Sequence, residues 1–233
     1  MTQSESNALV PKRRFPEFRN DHHWIEAPMG EIYTFKSNNS LSRDKLNYDT
    51  GTIKNIHYGD IHTKFPARFD IRNEIVPFIN PSEQLNAFHS EDCVEGDMIF
   101  ADASEDLKDI GKSIELVHLN GERVVAGLHT ILARPDLDRL AIGFGAYLFQ
   151  SRRVRAQIQK EAQGAKVLGI SATRLSRIQL PLPPTKAEQQ KIAACLSSLD
   201  DLIEAESRKL DALKAHKRGL MQRLFPREGE TVP

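Results

Sequence analysis

An uninterrupted heptad pattern near the C-terminal end of the sequence constrains the fold more than any other feature. Ten positions alternate in steps of four and three residues, and all but two of them are Leu or Ile. They are Ile192, Leu196, Leu199, Ile203, Glu206, Leu210, Leu213, Lys217, Leu220 and Leu224. This spacing predicts one helix with an apolar stripe. About forty residues at 1.5 Å each span about 60 Å, more than the width of a small domain.

The start and the end of this helix are both marked in the sequence. Residues 180–184 read Leu-Pro-Leu-Pro-Pro, and prolines fix φ and remove backbone donors, so regular structure is not expected there. Thr185 and Glu188 then have the spacing of a capping box, in which hydroxyl and carboxylate satisfy free N–H groups. Phe225-Pro226 is expected to end the helix.

A helix of this length needs a partner for its stripe. The stripe is too long to be buried on the chain's own domain, so we expect it to pack against a second helix. The polar residues Glu206 and Lys217 within the stripe would set register and orientation at some cost in stability. The alternative is a helix folded back on its own β domain. The pairing interpretation makes the helix both a spacer and a dimerisation element.

The preceding residues predict a mixed β/α domain. In residues 24–135, short apolar runs alternate with turn-forming residues, which favours antiparallel strands in a curled sheet. The runs are 30–35, 52–57, 74–79, 97–101, 113–119 and 123–126. Apolar spacing then predicts a helix over 137–148, a second one over 151–162, and a strand over 177–180. The predicted fold class is α+β, a mixed β/α domain followed by one long coiled-coil helix.

Four segments follow from this pattern. We expect a flexible lead-in at 1–23, the β/α domain at 24–180, the long helix at 181–226 and a tail at 227–233. No apolar run reaches the length of a membrane span, and the basic N-terminal residues lack the apolar core of a signal peptide. The two cysteines, Cys93 and Cys195, have no metal-site spacing and favour a reducing cytoplasm.

Charge is segregated although the formal net charge is zero. Residues 74–122 hold twelve acidic and two basic side chains, whereas residues 151–177 hold seven basic and one acidic. A basic stretch in a neutral chain can form an anion-binding face. An ordinary solvated surface is the alternative.

Several segments together resemble one protein family. Residues 180–226, LPLPPTKAEQQKIAACLSSLDDLIEAESRKLDALKAHKRGLMQRLFP, resemble the conserved helical region of type I restriction–modification specificity subunits. The motifs IKNIHYGDIHTKF, EGDMIFADASEDLKDIGKSIEL, VVAGLHTILARP and EAQGAKVLGIS resemble that family's target-recognition domain. They occur in the family's order, and the resemblance covers residues 24–226.

The resemblance implies a role in reading double-stranded DNA. In this family a recognition domain reads one half of a split site, and paired antiparallel helices set the gap between the half-sites. Modification subunits supply S-adenosylmethionine-dependent adenine methylation. Restriction subunits supply ATP- and Mg-dependent translocation and cleavage. The resemblance therefore implies a non-catalytic subunit that binds no cofactor itself.

The sequence departs from the family pattern in carrying one recognition domain and one helix instead of two. It resembles a half-subunit, so a homodimer is expected, with a two-fold symmetric gapped site. Pairing with a different half-subunit is the competing hypothesis. Two other interpretations are a regulatory or antirestriction fragment that competes for modification subunits, and a structural coiled-coil adaptor.

Motifs for chemistry are incomplete. Asn80-Pro81-Ser82-Glu83 lacks the second proline and the aromatic residue of an amino-methyltransferase loop, and residues 143–146, GFGA, fit glycine packing better than a cofactor loop. There is no GxxxxGK[ST] motif, and no Glu-x-Lys follows Pro135-Asp136. His57, Asp60 and His62 have the chemistry of metal ligands, but in a strand residues 57 and 60 would face opposite sides. No metal site is predicted.

The candidate DNA contacts fall into two groups. Positively charged residues would contact phosphates, and polar side chains of the loop 36–45 would read base edges. The first group is Lys64, Arg68, Arg152, Arg153, Arg155 and Lys166; the second is Lys36, Asn38, Asn39, Ser40, Arg43 and Lys45. The glycine-containing segment 164–171 also offers N–H groups for a phosphate. A solvated turn is the alternative for the first loop, and a helix-to-strand turn for the second.

Overall fold

The computed structural model describes residues 9–87 and 89–225. Residues 1–8 of the predicted lead-in and the predicted tail 227–233 lie outside the described residues. The chain divides into two compact units, residues 1–193 and 194–233, and each is described by itself. This division falls inside the long helix, whereas the sequence predicted a boundary at residue 180.

The first unit is α+β, and the predicted fold class is confirmed. Its strands are β1 Ile25–Pro28, β2 Tyr33–Lys36, β3 Leu46–Asn47, β4 Lys54–Ile56, β5 Arg68–Asp70, β6 Phe78–Ile79, β7 Met98–Ala101, β8 Ala103–Ser104, β9 Ser113–His118, β10 Val124–Ala126, β11 Thr130–Pro135, β12 Leu168–Gly169 and β13 Gln179–Leu182. The helices are α1 Tyr58–Thr63, α2 Phe144–Leu148, α3 Arg152–Glu161, α4 Ala172–Leu175 and α5 Lys186–Leu224, the last of which continues into the second unit.

Two larger sheets organise the first unit. One has the strand order β2-β11-β7-β9-β5 and the other β10-β4-β6-β3. The expectation of antiparallel strands is wrong for two pairs, because β5–β9 and β4–β10 run parallel. Parallel partners are joined by long crossovers, so apolar runs and turns, which report on sequence neighbours, do not reveal them.

The five-stranded sheet is buried on both faces. Met98 and Phe100 of β7 face one apolar cluster, which also holds α2, α3 and β13 residues. Ile99 and Ala101 face the other, which includes Ile61 of α1. Successive side chains of a strand point to opposite faces, so one continuous apolar run serves both clusters. The sheet is therefore a fixed platform for the loops at its ends.

The helix predicted over residues 137–148 is shorter than expected. Residues before 144 form turns, in which Arg139 and Leu140 donate N–H groups to the Asp136 carbonyl. Gly143 has a left-handed φ of 89°, which a continuous helix does not accommodate. The buried Glu115 carboxylate then accepts hydrogen bonds from the N–H groups of Gly143 and Ala146 at 2.6 and 2.7 Å, at the start of α2. The predicted helix over 151–162 matches α3.

The prolines before the long helix do not prevent regular structure. Gln179–Leu182 pairs antiparallel with Ile25–Pro28 in a two-stranded sheet, with Pro181 opposite Glu26. The strand has a free edge, so the missing N–H of Pro181 leaves no ladder bond broken. The strand predicted over residues 177–180 is thus displaced by two residues.

The long helix that the sequence predicted within residues 181–226 spans 39 residues, Lys186–Leu224. The Thr185 hydroxyl accepts a hydrogen bond from the Glu188 N–H at 3.3 Å, which is one half of the capping box. The Glu188 carboxylate is instead buried and accepts from Arg14 Nε and Nη2 at 2.8 and 2.6 Å and from Trp24 Nε1 at 3.1 Å. Arg14, which lies in the lead-in 1–23 that was expected to be flexible, and Trp24, the first residue of the predicted domain, thus hold the first turn of the helix.

The second unit contains the remainder of α5. Seven stripe residues have relative exposures between 36% and 73%. They are Leu196, Leu199, Ile203, Leu210, Leu213, Leu220 and Leu224. Ile192 differs from them, because it belongs to the first unit and packs partly buried against its core. An exposed apolar surface of this length marks an interaction site.

Candidate nucleic-acid interface

Loops from five parts of the first unit meet at one end of the five-stranded sheet. The end of β7 and the start of β11 are paired there, with Thr130 opposite Ala101. We call this end the loop edge and define it as residues 37–45, 57–64, 102–104, 127–130 and 163–171. Loops carried by a rigid sheet are the usual place for binding residues.

Asn38 fixes the turn at the centre of the loop edge. Its Nδ2 donates to the carbonyls of Gly127 and Thr130 at 3.2 and 2.6 Å. The Thr130 hydroxyl also donates to the Gly127 carbonyl, at 2.6 Å. His129 in this turn has φ of 54°, an uncommon conformation for a residue other than glycine. The turn therefore presents His129 in a constrained geometry.

A compact charge cluster lies beside this turn. Asp60 accepts from Arg43 Nη1 at 2.7 Å and pairs with Lys64 Nζ at 2.9 Å, and Lys64 also donates to the Tyr48 hydroxyl at 3.1 Å. Burial alone would raise the pKa of Asp60, but the hydrogen bonds from Arg43 and Lys64 outweigh it and leave the pKa below its ordinary value. The two cationic side chains remain 42% and 49% exposed, so one buried anion orients two accessible cations.

An aromatic cluster connects these charges to the central turn. Tyr58 contacts the rings of His57, His62 and His129 at centroid distances of 4.7, 6.0 and 5.2 Å. His129 Nδ1 lies 3.2 Å from Asp102 Oδ1. Burial raises the pKa of Asp102, and the nearby His129 opposes that shift. These rings give the loop edge flat apolar surface between its charged groups.

A cavity of about 490 Å³ lies between this pair and the last loop. Its lining includes Asp102, His129, Gln163, Ser171 and Arg174, together with residues 167–170. The loop 163–171 is held in place because Ile170 donates its N–H to the Asp102 carbonyl at 2.9 Å. Strand β12 also pairs with β8. The loop edge thus offers exposed cations, aromatic rings and a recess, which together suit a polyanion with planar groups.

A match to a protein-family model identifies the family of this chain. The model described as the type I restriction modification DNA specificity domain matches residues 23–215. That range is most of the 233-residue chain and includes the whole loop edge. The chain belongs to this family.

This chain resembles individual members of the family at low sequence identity. The chain is 27% identical over 188 residues to a putative type I restriction enzyme MjaX specificity subunit of Methanocaldococcus jannaschii. The match covers 79% of this chain and 40% of that protein. The type I restriction-modification S subunit of M. genitalium matches with a TM-score of 0.57 at 14% identity, over 93% of this chain and 49% of that one.

A second solved structure, the HsdS subunit of Thermoanaerobacter tengcongensis, agrees in fold. Its TM-score is 0.52 at 15% identity, covering 87% of this chain and 42% of that one. The chain therefore spans less than half the length of each of these three relatives. No helix in the described part of the specificity domain is long and apolar enough to cross a membrane.

Two of the predicted DNA-contacting side chains use their polar groups in hydrogen bonds within the protein. Asn39 is buried, donates to Asn55 Oδ1 at 2.8 Å and to the Ala126 carbonyl at 3.0 Å, and accepts from the Leu41 N–H. Arg155 donates to the carbonyls of Lys108, Ile110 and Gly111 at 2.7–2.9 Å. Both side chains hold loops together. Ser40, next to Asn39, is exposed.

The other predicted contacts are spread over several surfaces. Lys166 is exposed on the loop edge, and Arg152 is exposed at the start of α3. Arg153 pairs with Glu26 of β1, Lys45 pairs with Glu83 at 3.1 Å, and Lys36 lies 3.7 Å from Glu91. Arg68 is partly buried in β5, opposite Glu115. Of the twelve, seven fall within the loop edge, namely Asn38, Asn39, Ser40, Arg43, Lys45, Lys64 and Lys166, and Lys36 lies directly before it.

The candidate metal ligands have other roles. Residues 58–63 form α1 instead of a strand, so the expectation that residues 57 and 60 face opposite sides of a strand is wrong. His57 caps this helix by accepting the Gly59 N–H at 3.2 Å, and Asp60 is engaged by Arg43 and Lys64. The described residues contain no group of three or more His, Cys, Asp or Glu placed to hold a metal.

Sequence reasoning does not find Tyr58, Asp102 and His129. They come from three separate segments, and only the β7–β11 pairing and α1 bring them together. The positive φ of His129 has no signal in the sequence, because left-handed residues are usually found by looking for glycine or asparagine. The segment VVAGLHT carries a signal only through the family resemblance.

Proposed function

We propose that this chain is a DNA-reading specificity component of a type I restriction–modification system. One observation carries the proposal: the residues matched by the family model include both the loop edge and most of the long helix. A domain with a polyanion-compatible loop surface and an attached spacer helix suits a protein that reads one half-site at a fixed distance from another. The chain directs partner subunits and performs no catalysis itself.

Within this proposal the loop edge contacts DNA. Arg43, Lys64 and Lys166 contact phosphates, because their charged ends are accessible and sequence-independent affinity comes from such contacts. Ser40 and Arg43 are exposed on the same loop, and we assign them contacts to base edges, with Arg43 serving both kinds of contact. Asn38 acts by holding the central turn. Arg152 and Arg153 add a secondary basic surface on α3, and Arg153 would have to leave Glu26 to bind.

The exposed stripe of α5 is proposed to bind a partner helix. A second copy of the chain supplies an identical stripe, and a two-fold axis makes such an interface self-complementary. Two copies would then read a symmetric, gapped DNA site. A different half-subunit is the competing partner. Modification and restriction subunits of the system complete the assembly and bring S-adenosylmethionine, ATP and Mg²⁺.

Selection of bound duplexes from a random pool, with the matching modification subunit present, tests this function. A two-fold symmetric motif with one fixed gap is expected. An asymmetric or single half-site would keep DNA reading and reject the homodimer. No enrichment would reject DNA reading and favour a fragment that only competes for modification subunits.

The phosphate contacts have a separate signature in salt. Lys64→Gln and Lys166→Gln should weaken binding to all duplexes, selected or random, and each substitution should lower the slope of log K against log salt by about one. Lys12→Gln, an exposed lysine outside the loop edge, is the matched control. Titrations at several salt concentrations measure the slope, and equal slopes for the wild type and all three variants would remove both lysines from the interface.

A further inference from the structure

Asp102 and His129 form a pair whose free atoms are both hydrogen-bond acceptors when the imidazole is neutral and carries its proton on Nδ1. Their backbones are joined, because the Asp102 N–H donates to the His129 carbonyl at 3.0 Å. Their side chains meet at 3.2 Å between Nδ1 and Oδ1. With Nδ1 donating to the carboxylate, a neutral imidazole keeps Nε2 as an acceptor. Asp102 Oδ2 and His129 Nε2 have no hydrogen-bond partner within residues 9–87 and 89–225.

The setting of this pair excludes a phosphate ligand. Both residues line the 490 Å³ cavity, and their side chains are 31% and 51% exposed. Arg174, which also lines the cavity, is paired with Glu161 at 3.2 Å. A carboxylate with an adjacent acceptor repels an anion. Burial already raises the pKa of Asp102, so its carboxylate is poorly solvated, and a donor entering the cavity satisfies it.

Among the groups on the major-groove edge of DNA, two amino groups are donors. Adenine N6 has the N7 acceptor beside it, which would face the second acceptor of the pair unfavourably. Cytosine N4 has an acceptor on one side only, the O6 of the paired guanine, and carboxylates are its usual side-chain partners. Guanine offers only acceptors in the major groove. The acceptor pair therefore distinguishes cytosine from the other bases.

We propose that Asp102 and His129 are specificity-determining residues that select cytosine in the half-site: the Asp102 carboxylate accepts the one N4 hydrogen that base pairing leaves free, and the His129 acceptor disfavours adenine N7. The proposal rests on the DNA-reading function above. Asn38 positions the pair through its two hydrogen bonds to the 127–130 turn. Arg43 and Lys64 hold the backbone nearby, connected through Tyr58, which contacts His129. The 3.2 Å contact between Nδ1 and Oδ1 orients the imidazole against the carboxylate.

Asp102→Asn is the informative substitution. It keeps the shape of the side chain but adds an N–H₂ donor, and asparagine is a bidentate reader of adenine. Selection from a random duplex pool should show one position per half-site changing from cytosine to adenine, with the rest of the motif and its gap retained. For the wild-type chain, replacing that C·G pair by T·A should weaken binding about ten- to a hundredfold.

Two further variants complete the experiment. Asp138→Asn removes the same charge from an exposed residue beyond the opposite end of β11, and it should select the wild-type motif. His129→Asn keeps a residue type that tolerates left-handed φ while removing the imidazole, and it should reduce the preference for cytosine at the same position.

The outcomes separate the two proposals. In the first outcome, the wild-type chain enriches a motif, and Asp102→Asn selects the same motif with the same affinities. This result overturns the proposal that the pair reads a base, and it leaves the proposed function standing. Equal loss of binding to every duplex by Asp102→Asn also overturns it, because that is the signature of a general contact. No enrichment by the wild-type chain overturns the proposed function and this inference together.

Discussion

Glu115 is a carboxyl group buried in the core. It is 2% exposed and accepts the N–H groups of Gly143 and Ala146 at the start of α2. Burial raises its pKa from 4.5 to about 7, although those hydrogen bonds and the charge of Arg68 oppose the shift. Because burial has the largest effect on the pKa of this carboxyl group, the stability of the domain depends on pH.

The sign of that coupling gives a testable prediction. The folded chain holds the Glu115 proton more tightly than the unfolded chain between about pH 4.5 and 7. Its contribution to stability is complete below about pH 4.5 and is lost as the pH rises through about 7, at no more than roughly 1.4 kcal/mol per pH unit. Urea unfolding of the wild type and Glu115→Gln at pH 5 and pH 8 measures this.

The stability advantage of the wild type over Glu115→Gln should therefore shrink from pH 5 to pH 8. Other groups titrate identically in both proteins and cancel in the difference. Glu31→Gln, at an exposed position, serves as the control for the removal of a carboxyl group. A pH-independent difference between the wild type and Glu115→Gln would contradict the prediction.

At the scale of elements, the long helix behaves as an incomplete coiled coil. Its stripe of Leu and Ile is exposed beyond the first unit, where ion pairs such as Arg208–Glu204 at 2.8 Å connect residues of the same helix. Pairs of this kind contribute little. The helix therefore depends on a partner for most of the burial that normally stabilises such a length.

Charge placed in the stripe should prevent association without unfolding the recognition domain. Leu210→Lys should weaken self-association at least about tenfold, since burying a leucine contributes about 1.5–3 kcal/mol. Ala215→Lys, five residues on and off the stripe, should leave association unchanged. Sedimentation equilibrium measures the dissociation constant, and thermal unfolding checks the domain. Equal association of both variants would show that the stripe is not the interface.

The elements also show what the sequence could and could not predict. The presence and approximate length of α5 were predictable because a proline stop and a heptad repeat are local signals, although residues 181 and 182 of the predicted segment belong to β13. The parallel pairs β4–β10 and β5–β9 were not, since they join segments about fifty to seventy residues apart. Glu188 fitted a capping box by its spacing, but Arg14 and Trp24, more than 160 residues away in sequence, take its carboxylate.

The site was only partly predictable for the same reason. Residue type identified Arg43, Lys64 and Lys166 as accessible cations. It also selected Asn39 and Arg155, whose polar groups are used inside the fold. The pair Asp102–His129 needed the β7–β11 register, which no single segment of the sequence contains.

At the scale of the whole molecule, a symmetric assembly carries two identical reading surfaces. If two copies pair and each reads its own half-site, a dimer of one wild-type and one Asp102→Asn chain should select an asymmetric motif. One half should retain cytosine and the other should show adenine. Co-expression with two different tags, tandem purification and duplex selection provide the measurement, with doubly tagged wild type as the control. A symmetric motif from the mixed dimer would mean that one copy alone determines the sequence.

The recognition domain begins and ends on neighbouring strands. Ile25–Pro28 and Gln179–Leu182 are hydrogen-bonded to each other, one just after the segment that holds the helix and the other just before the helix itself. Residues 29–178 therefore begin and end at this one pair of strands. Gene exchange with breakpoints in these two strands would replace the whole reading surface while preserving Arg14, Trp24, Glu188 and the helix. Under the proposed function, one recombination event at the two-stranded sheet would replace the target sequence that the chain reads and would keep the helix unchanged.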